Sequence, residues 1–281
     1  MRRTDFLVGS AALAAATPLA ARAASAGAGF DPRTPIPVVR ARIGGRDLTF
    51  VIDTGYDLST LAPHTADAIG LARTAVPNVT DYTRATLSGV ALGGATLRDH
   101  GALVTDVSNW KDLAGFDVDG SLGYGAFSDR AITLDYVNRR LTFPGVLPDG
   151  ETTAITWMKY HEHSPKLVTF EGLSIDGFPA TTQFDTAMSK NVIVFTTKLP
   201  DLAVDSAPNA PPYTYEEAAL RPGHVGSVRL GSTLLGANLV VYAAGADAHV
   251  PTTAIAAIAG DGLFAHRAVT LDYPGSRLIV S

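Results

Sequence analysis

Two short motifs place an aspartate directly after an apolar run, and each aspartate is followed by threonine and a small residue. The motifs are Phe50-Val51-Ile52-Asp53-Thr54-Gly55 and Thr182-Gln183-Phe184-Asp185-Thr186-Ala187. Aspartate is depleted from strands, so an acid beside a buried run requires an explanation. For one copy alone, an Asx turn that ends a strand explains the acid equally well. The recurrence of the motif favours two carboxyl groups that act together.

Two carboxyl groups about 3 Å apart cannot both ionise cheaply, so they share one proton and their apparent pKa values separate. The ionised member can accept a proton from water while the protonated member donates to a carbonyl oxygen. Such a pair can hydrolyse an amide without a covalent intermediate or a metal. In this arrangement Thr54 and Thr186 would join the two strand ends through hydroxyl hydrogen bonds, and Gly55 would let a backbone come close.

The two halves of the chain repeat each other. Residues 123–143 and 260–280 align without a gap, and eleven of their 21 positions are identical. Matched segments follow the same order in both halves, at offsets of 132, 138 and 137 residues. We therefore predict a tandem duplication with an N-terminal lobe at 27–147 and a C-terminal lobe at 148–281. Approximate two-fold symmetry between the lobes would bring Asp53 and Asp185 face to face.

The spacing of apolar residues and turn formers predicts an all-β fold with a few short helices. Three hairpins are expected, at Val38–Ile43 with Leu48–Ile52, at Ala131–Leu134 with Arg140–Phe143, and at Ala268–Leu271 with Arg277–Val280. Pro63 predicts a helix that ends at Gly70, and Pro251 predicts one that ends at Gly260. Five prolines between residues 200 and 223 predict a long loop there.

With these motifs, the chain resembles the pepsin-like and retropepsin-like aspartic peptidases, in the form of bacterial exported proteins with both lobes in one chain. The resemblance rests on the two Asp-Thr motifs and on two apolar-Gly pairs, Leu122-Gly123 and Ala259-Gly260. It implies a two-lobe acid-protease barrel, a catalytic dyad of Asp53 and Asp185, and a water nucleophile. It also implies a hairpin flap over an extended peptide, with Tyr82 as the flap residue and a second-half counterpart near Gly223-His224.

The chain departs from the family pattern beside both acids. Tyr56 and Met188 stand where small or hydroxyl residues are usual, Ala187 replaces glycine, and Asp57 adds a third carboxylate. These changes leave open an alternative function, a non-catalytic peptide-binding protein on the same scaffold. A homodimer in which each lobe is half of an enzyme is a further alternative, but one chain already carries both acids, so a monomer is expected.

Residues 1–26 have the pattern of an export signal. Arg2-Arg3 begin the segment, an alanine-rich apolar stretch follows, and Ala21-Arg22-Ala23 offers a cleavage site. The start resembles a bacterial twin-arginine signal. We therefore expect a periplasmic or secreted protein without stable membrane insertion after processing; an uncleaved signal anchor is the alternative.

The composition excludes several classes of function. The chain has no cysteine, which excludes disulfides and thiolate chemistry. Its formal net charge is −5, so a nucleic-acid partner is not expected. His161-Glu162-His163 is the best metal candidate, but no third ligand can be identified, so solvent-exposed side chains are the preferred interpretation. We expect a peptide or protein substrate and neither a cofactor nor a metal.

Overall fold

The computed structural model describes residues 26–159, 166–215, 218–246 and 254–281. Within this part the chain folds mainly into β-strands with a few helices of four to six residues, which confirms the predicted all-β, two-lobe barrel class. The predicted export signal (except Ala26) and the His161-Glu162-His163 motif lie outside the described residues.

The first half contains twelve strands and three short helices. The strands are β1 (Gly27–Gly29), β2 (Val38–Ile43), β3 (Arg46–Ile52), β4 (Ser59–Leu61), β5 (Arg73–Ala75), β6 (Tyr82–Leu87), β7 (Ala91–Leu92), β8 (Ala95–Thr96), β9 (His100–Thr105), β10 (Gly120–Leu122), β11 (Ala131–Asp135) and β12 (Arg140–Thr142). The helices are α1 (Pro63–Ala68), α2 (Asn109–Ala114) and α3 (Tyr124–Phe127).

The described part of the second half contains eleven strands and one 3-10 helix, Asp261–Phe264. The strands are β13 (Glu151–Lys159), β14 (Lys166–Ile175), β15 (Phe178–Asp185), β16 (Val192–Phe195), β17 (Asp205–Ser206), β18 (Tyr213–Tyr215), β19 (Ala218–Leu230), β20 (Thr233–Ala244), β21 (Ala257–Gly260), β22 (Ala268–Asp272) and β23 (Arg277–Val280).

The strands form two sheets. A nine-stranded sheet holds first-half strands only, in the order β5-β6-β9-β4-β10-β3-β2-β7-β8. A 14-stranded sheet has the order β1-β12-β11-β22-β23-β13-β14-β15-β21-β16-β20-β19-β17, with β18 paired to β19. Because β1, β11 and β12 join the strands of the second half, the larger sheet bridges the two halves of the chain.

The bridge lies at the strands with the strongest sequence repeat. β11 and β22 pair antiparallel, and Thr133 is opposite Thr270 in the register. These two residues are equivalent in the repeat, and their hydroxyl oxygens are 2.8 Å apart. The pairing therefore places the two repeated strands side by side in one sheet, with the equivalent threonines opposite each other.

The three predicted hairpins are confirmed, and so is the first predicted helix. In β2 and the adjoining β3, buried and exposed residues alternate in part, as expected for strands with one face in the core. Pro63 begins α1, which ends at Ala68 with Ile69 as its C-cap. The core beneath these strands is built from large buried side chains such as Phe50, Phe127, Phe184 and Phe264.

Two predictions for the second half are wrong. Residues 257–260 form β21 instead of the end of a helix, because they are wholly buried between β15 and β16, where their backbone groups pair with both strands. The segment 200–223 contains β17, β18 and the start of β19 instead of one long loop. Its prolines are compatible with this: three fall between β17 and β18, and the carbonyl of Pro222 accepts a hydrogen bond from Ala207.

No helix among the described residues is long and apolar enough to cross a membrane.

Candidate active site

Asp53 is positioned by two parallel strands. It follows the last residue of β3, whose side chains Phe50, Val51 and Ile52 are fully buried. β10 runs parallel to β3, and the N–H of Asp53 donates to the carbonyl of Leu122 at 3.0 Å. β3 is paired with β10 on one side and with β2 on the other. The position of Asp53 at the end of β3 is therefore fixed by the sheet.

Asp185 is positioned in the same way in the second half. It is the last residue of β15, and β21 runs parallel to β15 with Gly260 opposite Asp185. Gly260 and its first-half equivalent Gly123 both pass close to the chain that follows the acid. A Cβ atom would lie 2.2 Å from the Met188 carbonyl oxygen at Gly260, and 2.6 Å from the Leu58 carbonyl oxygen at Gly123. Only glycine fits at either position.

Thr54 and Thr186 bind the two halves together through four reciprocal hydrogen bonds. The Thr54 hydroxyl donates to the carbonyl of Phe184 at 2.8 Å, and the Thr186 hydroxyl donates to the carbonyl of Ile52 at 2.6 Å. Each hydroxyl also accepts the backbone N–H of the other threonine, at 3.0 and 3.1 Å. Both side chains are buried, so the four bonds are shielded from water. The sequence prediction placed these residues in this role.

The two carboxyl groups have equivalent backbone donors. The N–H of Gly55 donates to Oδ1 of Asp53, and the N–H of Ala187 donates to Oδ1 of Asp185, both at 2.9 Å. Asp53 is buried. A Cβ atom on Gly55 would lie 2.8 Å from Cγ of Asp185, so the first motif approaches the second acid closely. The structure thus brings Asp53, Thr54, Gly55, Asp185, Thr186 and Ala187 together.

Burial and the neighbouring Asp185 favour the protonated form of Asp53. Burial and the charge of Asp185 raise the pKa of Asp53 to about 8, against the lowering effect of the Gly55 N–H. Burial is the larger cause. Near neutral pH Asp53 therefore keeps its proton, as expected for one member of a pair that shares a single proton.

A cavity of about 540 Å³ opens over the pair, and both Asp53 and Asp185 line it. Its first-half wall is formed by Gly55, Tyr56, Thr60, Asn109, Trp110 and Leu113. Its second-half wall is formed by Leu167, Gln183, Met188, Tyr213, Thr214 and Tyr215. The cavity is therefore mainly apolar and aromatic with two carboxyl groups at its base, as is common for sites that bind small molecules or peptide side chains.

The residues that depart from the family pattern have distinct positions. Met188 is buried and packs in a core cluster, with its side chain also reaching the cavity. Tyr56 lines the cavity, and burial with the neighbouring Asp57, Tyr82 and Asp53 raises the pKa of its phenol. Asp57 accepts the backbone N–H of Lys166 at 3.2 Å, and its charge is not among the causes that shift the pKa of Asp53.

The third acid beside the pair is Asp261, which sequence reasoning missed. It opens the 3-10 helix directly after Gly260 and is almost completely buried. Tyr136 donates its hydroxyl to Oδ1, while Oδ2 is buried without a hydrogen-bond partner among the described residues. Burial and the nearby charge of Asp185 raise its pKa. The sequence feature that could have identified Asp261 is a difference between the two halves, since the equivalent first-half residue is Tyr124.

The flap residues that the resemblance implies lie in β6 and β19. Tyr82 is the first residue of β6 and pairs with Thr105; it is not among the residues that line the cavity, but it neighbours Tyr56, which does. Gly223 and His224 belong to β19 and pair with β17. A second-half hairpin formed by β18 and the start of β19, with Tyr213 opposite Leu220, reaches the cavity.

Among the described residues, no group of three or more His, Asp or Glu side chains could hold a metal ion.

Comparison with known protein families finds a match to the first half of the chain, which carries the Asp53 side of the site. Residues 39–126 match the family model described as aspartyl protease. The matched segment includes Asp53-Thr54-Gly55 and Gly123 but ends before Asp185. No curated protein matches the chain. The match supports an aspartic protease function in general.

Proposed function

We propose that this protein is an aspartic endopeptidase of the pepsin-like or retropepsin-like kind, in which Asp53 and Asp185 activate a water molecule to hydrolyse a peptide bond. The observation that carries the proposal is the paired geometry of the two Asp-Thr motifs. Each acid ends a buried strand and accepts a backbone N–H at 2.9 Å, and the two threonines are joined by reciprocal hydrogen bonds. A turn that only ends a strand would not require such an arrangement twice.

The two acids take different roles in the proposed mechanism. Asp53, whose pKa is raised by burial and by the charge of Asp185, holds the shared proton, and Asp185 acts as the base. Asp185 takes a proton from water as the water oxygen bonds to the carbonyl carbon, and Asp53 gives its proton to the carbonyl oxygen. In the second step Asp185 passes its proton to the amide nitrogen, the C–N bond breaks, and one hydroxyl of the intermediate returns a proton to Asp53. Both acids end in their starting states.

The surroundings of the pair fit an extended peptide substrate. The cavity walls supply aromatic and aliphatic contacts, and the second-half wall includes strand β18, an element of the kind that can bind a peptide in extended form. No cofactor is required by this mechanism. We further propose that the chain acts as a monomer in the periplasm or outside the cell, after export through its twin-arginine segment.

Cleavage of a diverse peptide library between pH 3 and 8 tests the proposal. The wild-type protein should cleave a subset of peptides, and Asp53→Asn and Asp185→Asn should each lower the rate by at least about 10³-fold. Asp57→Asn is the matched control, because it changes a carboxyl group in the same segment that faces Lys166. This control should keep the wild-type rate to within a few-fold.

Three results would contradict the proposal. Activity retained in Asp53→Asn or Asp185→Asn excludes the pair as the catalytic group. Loss of activity in Asp57→Asn equal to that in the other two variants points to a shared structural effect. A wild-type protein that binds a statine peptide, which mimics the transition state, but cleaves no peptide is a non-catalytic binding protein.

A further inference from the structure

The side chain of Gln183 is a buried polar group in the wall of the cavity. It is 2% exposed, and its Oε1 atom has no hydrogen-bond partner among the described residues. A buried carbonyl oxygen without a partner costs stability, since it has lost its hydrogen bonds to water. Most buried polar side chains in proteins have at least one partner, so this one requires an explanation.

The position of Gln183 in strand β15 places its side chain on the same face as Asp185. It precedes Asp185 by two residues in β15, and side chains two apart in a strand lie on the same face of the sheet. Phe184, between them, is buried in the main core cluster on the opposite face. Gln183 therefore shares the cavity with the catalytic pair, in agreement with its place in the cavity wall.

The first half of the chain has an apolar residue at the equivalent position. The two acids are 132 residues apart, and the same offset makes Val51 the first-half equivalent of Gln183 in the repeat. Val51 is fully buried and packs in an apolar cluster with Trp110 and Ala187. The fold therefore accepts an apolar side chain at this site, and packing alone does not require glutamine.

Tyr213 adds a second polar group on the same side of the cavity. Burial, the charge of Asp185 and the neighbouring Tyr242 raise the pKa of its phenol to about 12, with no hydrogen bond among the causes. Its ring packs edge to face against Tyr242 at 5.1 Å, and the ammonium of Lys190 lies 5.2 Å from its centroid. The Tyr242 hydroxyl in turn donates to the carbonyl of Pro211 at 3.1 Å. The phenol of Tyr213 is thus neutral and held in place, but it has no fixed partner within the described residues.

We propose that Gln183 and Tyr213 form a polar subsite on the Asp185 side of the cleft, which binds an amide group of the substrate beside the scissile bond. An amide carries one acceptor and at least one donor, and these complement the carboxamide of Gln183 and the hydroxyl of Tyr213. A negatively charged group is disfavoured, because the charged residues that line the described cavity wall are Asp53 and Asp185 alone. The amide can belong to an Asn or Gln side chain or to the peptide main chain.

This inference rests on the proposed peptidase function, and its test separates the two. Gln183→Met keeps the length of the side chain without its hydrogen-bonding groups, and Gln183→Val copies the first-half residue. Each variant is compared with wild type in unfolding by urea, in affinity for a statine peptide, and in kcat/KM for peptides that carry Gln or Leu beside the cleaved bond. Tyr124→Phe is the control for Tyr213→Phe, because Tyr124 lies outside the cavity wall.

Binding and stability should change in opposite directions. Gln183→Met and Gln183→Val should be as stable as wild type or more stable, since an unpaired buried group is removed. Both, and Tyr213→Phe, should weaken statine-peptide binding and lower kcat/KM by about three- to tenfold, the effect of one neutral hydrogen bond, while Tyr124→Phe stays within about twofold. If a side-chain amide is bound, the loss occurs for Gln peptides only; if the main chain is bound, it occurs equally for Gln and Leu peptides.

Wild-type binding and cleavage in all the Gln183 variants would overturn the subsite while leaving the peptidase proposal intact. The same holds if these variants lose binding only in proportion to a loss of stability. A wild-type protein that neither binds nor cleaves any peptide would contradict both proposals, and one that binds without cleaving would contradict only the peptidase.

Discussion

The two acids depend on small neighbours as much as on their own chemistry. Gly55 sits where any Cβ atom would lie 2.8 to 3.0 Å from the carboxyl atoms of Asp185. Its equivalent, Ala187, carries a Cβ atom and still donates its N–H to Asp185 at 2.9 Å. The replacement of glycine by alanine in the second motif therefore leaves the backbone donor in place. The same replacement in the first motif would not be tolerated.

Gly55→Ala should displace the carboxyl group of Asp185 and lower kcat/KM by about 10²-fold, the cost of a misplacement of roughly 1 Å in a catalytic group. Gly145→Ala is the control, since nothing lies within 4 Å of a Cβ atom at that residue. Peptide cleavage at equal protein concentration measures both. Wild-type activity in Gly55→Ala would show that the acids do not approach each other as described.

At the scale of residues, sequence could identify the motif but not its whole environment. The repeated Asp-Thr pattern predicted Asp53, Asp185 and both threonines, because a repeat reveals equivalent positions before any fold is known. It could not identify Gln183 or Asp261, where the two halves differ, since only the paths of β15 and β21 bring these residues to the site. Asp57 was suspected because it is close in sequence, yet its carboxyl group faces Lys166.

Strand ends and short helices carry the contacts that join the two halves. Tyr136 directly follows β11, and its hydroxyl reaches Asp261 at the start of the 3-10 helix. The equivalent second-half residue, Tyr273, follows β22 and has a buried hydroxyl without a partner among the described residues. The hydroxyl of one member of this repeated pair therefore joins the two halves, whereas the hydroxyl of the other makes no hydrogen bond within the described part of the chain.

This contrast gives a matched pair of variants. Tyr136→Phe should lower the free energy of unfolding by about 1–3 kcal/mol, because it leaves Asp261 without a hydrogen-bond donor. Tyr273→Phe should be neutral or stabilising, because it removes a hydroxyl that already lacks a partner. Urea unfolding at pH 6 measures both. Equal effects of the two substitutions would contradict the role given to the Tyr136–Asp261 contact.

Elements near a turn or a helix start were predictable, and those decided by tertiary pairing were not. The β2–β3 hairpin and α1 carry local signals, Gly44-Gly45 and Pro63. By contrast, β21 is an alanine-rich run of four residues whose local sequence also suits a helix. It becomes a strand because β15 and β16 offer hydrogen bonds on both sides. β18 could not be predicted for the same reason: it follows several prolines, and its pairing with β19 makes it a strand.

For the molecule as a whole, the larger sheet explains how a repeated chain can build one site. β11 and β22 pair around Thr133 and Thr270, and the hydrogen bonds between Thr54 and Thr186 join the two motifs. The halves differ in the residues around the two acids. Gln183 and Asp261 are polar, whereas their first-half equivalents in the repeat are Val51 and Tyr124.

The proton shared by Asp53 and Asp185 can be measured directly by a carboxyl 13C NMR titration of the protein. The account predicts that Asp53 titrates near pH 8 in the wild type, because burial and the charge of Asp185 favour its protonated form. In Asp185→Asn that charge is absent, so the pKa of Asp53 should fall, although burial should keep it above the usual value of about 4. Titration of Asp53 near pH 4 in the wild type, unchanged in Asp185→Asn, would show two independent carboxyl groups and contradict the account.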